Sequence, residues 1–125
     1  MAIQLGNGDS LNLWDLFDKQ GEHHWATVLH PQGSESVVSV NPLGKNASEF
    51  RSSKTTGQRY AGKWIVEIPS LHLALTVTAK PVLQEIQVGV PFTPGINEAD
   101  ASAIGSYRGK SVSAEVNVEQ FGVWK

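Results

Sequence analysis

Two stretches of strict alternation constrain this chain more than anything else in its sequence. In Leu71-His72-Leu73-Ala74-Leu75-Thr76-Val77-Thr78-Ala79 the odd positions carry Leu, Leu, Leu, Val and Ala. Successive side chains of a strand point to opposite faces, so this spacing predicts a half-buried strand with one apolar face. In Val112-Ser113-Ala114-Glu115-Val116-Asn117-Val118-Glu119 the aliphatics fall at even positions. That register groups Glu115, Asn117 and Glu119 on the other face. Similar runs predict strands over Ser10 to Phe17, His24 to Leu29, Ser36 to Val40, Glu49 to Ser52, Trp64 to Ile68, Leu83 to Val88 and Asp100 to Tyr107. Turns fall between them at Gly6-Asn7-Gly8-Asp9, Lys19-Gln20-Gly21, Pro31-Gln32-Gly33, Asn41-Pro42-Leu43-Gly44 and Arg108-Gly109-Lys110. About nine short antiparallel strands imply a closed barrel or a sandwich. Pro91-Phe92-Thr93-Pro94-Gly95 reads as a stiff surface loop.

With 125 residues the chain is expected to form a single domain over residues 1–125. Twelve acids against ten Lys plus Arg give a net charge of −2. That balance argues against a nucleic-acid or anionic-membrane partner. No cysteine is present, which removes thiol nucleophiles, disulfides and Cys-based zinc sites. The amino terminus has no signal-peptide pattern, and no window approaches the roughly 18 apolar residues of a membrane span. A soluble, cytoplasmic protein is the expectation. Asn46-Ala47-Ser48 fits the glycosylation acceptor pattern, which matters only in a secretory route.

Glu98 and Glu119 are the leading catalytic candidates. Each lies in mostly uncharged sequence, and a carboxyl group in an apolar cavity has a raised pKa that suits a general acid. The competing reading is that both are solvated, as most acids are. Asp15 is either a strand-edge charge or a cavity acid, and the edge charge is the favoured reading. Of the histidines, His23 and His24 point to opposite faces of one strand, so they cannot readily chelate one metal. No metal site is expected. The chain lacks a serine-centred nucleophile elbow, a Walker loop and a Rossmann glycine pattern, so neither a triad hydrolase nor a nucleotide cofactor has support.

Three segments carry a family resemblance. Tyr60-Ala61-Gly62-Lys63-Trp64 matches a Tyr-Pro-x-x-Trp element with alanine in place of proline. Ile96-Asn97-Glu98-Ala99 stands where the family reads Tyr-Trp-Glu-Gly. Val118-Glu119-Gln120-Phe121-Gly122 keeps a second family glutamate while its neighbours change. In this order the chain resembles the lipocalin-like carboxy-terminal domain of the superfamily of hydroxyneurosporene synthase (carotenoid hydratase), kievitone hydratase and the fungal lipocalin-like Diels-Alderases.

The resemblance implies an all-β, antiparallel lipocalin-like β-barrel of about 8–9 strands. It also implies a cofactor-independent cyclase, isomerase or hydratase of secondary metabolism, acting on a large apolar polyene, terpenoid or polyketide. Glu98 or Glu119 would protonate the substrate with Tyr60 assisting. Trp14, Trp64, His24, Trp25 and Phe121 would border it. For Trp14, Trp64 and Tyr60, core packing is the competing role. Members of the superfamily are about twice this length or more, so a homo-oligomer or a partner domain could complete the site. The alternative function is a non-catalytic lipocalin-like carrier of an apolar small molecule, and a third is a domain that docks on a partner.

Overall fold

The computed structural model describes residues 1–90 and 93–122. Twelve strands follow one another: β1 (Ala2–Leu5), β2 (Ser10–Asp18), β3 (Gly21–Leu29), β4 (Glu35–Ser39), β5 (Ala47–Ser48), β6 (Arg51–Ser52), β7 (Arg59–Tyr60), β8 (Lys63–Ile68), β9 (Leu73–Ala79), β10 (Glu85–Val90), β11 (Thr93–Tyr107) and β12 (Lys110–Phe121). Two short 3-10 turns, Gly44–Asn46 and Pro69–Leu71, are the helical pieces among the described residues. No described helix is long and apolar enough to cross a membrane.

Alternation builds the wall. In β9, Leu73, Leu75, Val77 and Ala79 are buried, and in β12, Ala114, Val116, Val118 and Gln120 are buried while Glu115, Asn117 and Glu119 face outward. The sheet runs β4-β3-β2-β1-β12-β11-β9-β8-β5, with β10 adding to β11. Every pairing is antiparallel. Its two ends curl toward each other and meet where the Asn41 N–H donates to the Glu67 carbonyl at 2.9 Å and the Asn41 side-chain amide donates to the Glu67 carboxylate, also at 2.9 Å. The result is the expected all-β lipocalin-like barrel. Its interior is lined by Ile3, Leu11, Val28, Val66, Leu75 and their neighbours, all nearly inaccessible. Each such aliphatic contributes about 1.5–3 kcal/mol by leaving water, which fixes the register, because a one-residue slip would turn the whole set outward.

Some expectations change. The strand expected over Glu49 to Ser52 is broken, with Glu49 (φ 53°) and Phe50 lying between β5 and β6. β1 was not foreseen, yet it bridges β2 and β12. The segment read as a stiff loop is strand from Thr93 onward, pairing with β10; Pro91 and Phe92 lie outside the described residues. Gly105 lets β11 lie close on β9, since a Cβ there would overlap the Ala74 carbonyl oxygen.

The barrel's two ends are built differently. At one end, the buried Asp9 carboxylate gathers the Tyr107 hydroxyl at 2.9 Å, the His30 ring Nδ1 at 2.9 Å and the Asn7 amide at 3.2 Å. This ties the β1–β2 and β3–β4 loops to the end of β11. The other end is formed by the exits of β2 and β12, the entries of β3, β8 and β11, and the segment between β4 and β5. It holds the cavity.

Candidate active site

β2 sets the first functional side chain. Leu11 and Leu13 are buried, and Asp15, at the same parity, points the same way. Across the ladder Asp15 pairs with His24, and Phe17 pairs with Glu22. One hairpin therefore carries Asp15, Glu22 and His24 on its inner face. The segment after β4 closes over them, with Leu43 buried. Its Leu43 N–H donates to Asp15 Oδ2 at 2.8 Å, and the next N–H, of Gly44, donates to Glu22 Oε1 at 3.4 Å. Two adjacent amides thus each hold one of two neighbouring carboxyl groups.

Burial pushes the Asp15 carboxyl up to about 6. The Leu43 amide opposes this, the charge of Glu22 and a hydrogen bond with it push further up, and the His24 ring pulls back. With both groups ionised, Asp15 Oδ1 is buried without a partner, as is His24 Nδ1; these are the two such side-chain atoms among the described residues.

Asp15 and Glu22 line a cavity of about 550 Å³, a size that suits a drug-sized molecule. Leu13, Leu43, Trp64, Val118 and Phe121 supply its apolar walls, Gln120 a polar one, and Lys45 stands at its rim. A larger depression of about 840 Å³ lies on the outside of the wall, over Gln4, Asn12, Glu115 and Asn117. It lies on the outward face of the wall, away from the Asp15–Glu22 hairpin, so the smaller cavity, whose wall carries the raised carboxyl, is the better candidate for acid chemistry.

The sequence-derived residues divide sharply. Glu98 and Glu119 are exposed, not held in an apolar cavity. Glu119 does reach the cavity rim, but strand parity aims both carboxyls outward. Tyr60 is buried and occupied: its hydroxyl donates to Glu85 at 2.7 Å, and Ser53 and Thr56 donate to the same carboxylate at 2.5 and 2.6 Å. Burial and the Glu85 carboxylate push the Tyr60 hydroxyl up, which leaves it a poor acid and a good clasp. Trp14 and Trp25 form a pair on the outer face, ring centroids 6.3 Å apart, so they do not border the interior. Trp64 and Phe121 border the cavity, and His24 faces inward beside Asp15. Glu22 was missed. Nothing in the sequence around it marks it, because its place depends on the register of the β2–β3 hairpin. Asp15 is not the strand-edge charge of the favoured reading but lines the cavity; the signal for it was the parity it shares with Leu11 and Leu13.

No protein-family model and no curated protein sequence matches the chain. Among solved structures, kievitone hydratase from Nectria haematococca superposes with a TM-score of 0.78 over 98% of this chain, at 20% sequence identity. The chain has the fold of that part of kievitone hydratase. It spans 39% of the kievitone hydratase chain, and at this identity the likeness is one of fold. The resemblance read from the Tyr60–Trp64 element and the two glutamate segments thus leads to the same architecture.

Proposed function

We propose that this barrel is a cofactor-independent acid catalyst acting on an apolar small molecule, adding water to a carbon–carbon double bond or shifting or closing a chain that contains one. The raised carboxyl of Asp15, set with Glu22 on the inner face of one hairpin at the wall of a cavity lined by Leu13, Leu43, Trp64 and Val118, carries this reading. Asp15 keeps its proton up to about pH 6, close to an alkene bound against Trp64 and Val118. Protonation is the step that hydration, isomerisation and cyclisation share. The cavity adds proximity by holding the substrate in a reactive conformer. Support for hydration in particular comes from the fold shared with kievitone hydratase, whose name states its reaction.

The test starts from kievitone and a panel of prenylated and terpenoid alkenes, followed by mass spectrometry for gain of one water or for isomerised product. Turnover is expected to fall as pH rises through about 6, since the proton donor is lost there. Asp15→Asn is expected to lower conversion by about a hundredfold or more while ligand quenching of Trp64 fluorescence persists. Binding without conversion of any substrate identifies a carrier instead.

A further inference from the structure

The two unpartnered buried atoms are neighbours. Asp15 and His24 are directly opposed in the β2–β3 register, and opposed residues keep their Cβ atoms about 4.5–5.5 Å apart. Both face the interior, where Asp15 Oδ1 and His24 Nδ1 have no protein hydrogen bond when the carboxyls are ionised. Leaving a buried polar atom unmet costs about 1–3 kcal/mol, so two at one place mark a spot built for a small polar guest. Engagement of Asp15 with Glu22 does not use up the site, because each carboxyl oxygen has two lone pairs. His24 supplies a ring nitrogen that acts as donor or acceptor according to tautomer.

We propose that Asp15 Oδ1 and His24 Nδ1 hold one water molecule between them, and that this water is the nucleophile added to the substrate. The inference rests on the acid-catalysis reading above for its chemistry, though not for the water site itself. In the step, the alkene takes the proton of the carboxyl pair: a C–H bond forms and an O–H bond breaks. A lone pair of the held water then forms the C–O bond to the cationic carbon. The excess proton of that oxygen passes to His24 Nδ1 and from there to the carboxylate that gave up the first. One water is consumed and the site returns to its starting state.

A crystal structure at atomic resolution is expected to show one ordered water within about 2.6–3.2 Å of both atoms. His24 Nδ1 bonded directly to Asp15 Oδ1, or no water touching both, overturns the site. His24→Phe is expected to expel the water and cut hydration about a hundredfold, leaving thermal unfolding and Trp64 quenching by kievitone unchanged. Isomerised product should rise as hydrated product falls, and His24→Gln, which keeps a polar side chain, should restore part of the rate. Heavy-oxygen water should label the wild-type product. Hydration that survives His24→Phe undiminished overturns the nucleophile assignment. Because the crystallographic arm needs no turnover, a water in place with no substrate converted sinks the proposed reaction and leaves the water site standing.

Discussion

Glu98 and Glu119 stand directly opposite each other on β11 and β12, with both side chains on the outer face. Like charges opposed in this way are mildly destabilising.

Replacing either glutamate with glutamine is therefore expected to leave any turnover unchanged and to raise stability by about 0.5 kcal/mol or less, because water and salt screen exposed charges. Urea unfolding at low and high ionic strength checks this, with the gain shrinking in salt. A large loss of turnover in Glu119→Gln would return the acid role to the outer rim.

Tyr60→Phe removes one of three hydroxyls from the Glu85 carboxylate. A loss of about 1–3 kcal/mol is expected, the range for a buried group deprived of a partner. Turnover per folded molecule should stay constant. Denaturant midpoints measured beside activity separate the two effects.

Acid should loosen the end of the barrel that Asp9 ties. Burial pushes the Asp9 carboxyl up, but hydrogen bonds from His30, Tyr107 and Asn7 outweigh it and hold the group below its ordinary value of 3.8. A carboxyl depressed on folding stabilises the fold above its unfolded value and loses that contribution as pH falls through the folded value. The wild type should thus lose stability below about pH 4 more steeply than Asp9→Asn. Circular dichroism during acid titration of both proteins provides the comparison. Asp15 has the opposite sign. Raised to about 6, it favours the fold at low pH, and that contribution disappears as pH rises from its unfolded value through 6.

Gly105→Ala should be among the most damaging single changes. The new methyl meets the Ala74 backbone, which cannot swing aside as a side chain could. The expected cost is about 1–3 kcal/mol, read from the thermal midpoint, with the β9–β11 amides losing hydrogen-exchange protection first.

The wall was legible in the sequence because it has one dry face. Leu73 to Ala79 and Ala114 to Val118 alternate in the chain as they do in space. β1 escaped notice because four residues, Ala2–Leu5, give too few alternations to register, and its stability comes from two neighbours far along the chain. The start of β11 was hidden by Pro94 and Gly95, which read as turn residues but here sit beside β10. At the site, two readings of Glu119 competed. Alternation with Glu115 and Asn117 placed it outside, while resemblance to a family motif placed it in the chemistry, and the side chain follows the alternation. The same parity points inward for Leu11, Leu13 and Asp15, against the favoured reading of Asp15 as a strand-edge charge. Glu22 was beyond reach, since its partners across the hairpin and in the Leu43–Gly44 segment are a matter of register and loop path rather than local pattern.

Where β1 to β4, β8, β9, β11 and β12 are stitched by longer ladders, Asn41, just past β4, is tied to Glu67 of β8 by a pair of bonds. A fabric tears at its shortest stitch. Thermal breathing of this barrel should begin along that line, and because the same segment runs on through Leu43 to Gly44, each such breath loosens the roof above the two carboxyl groups. For the apolar substrate proposed above, the expected doorway is a slit in the side, opened by untying one asparagine, while Asp9 ties the far end.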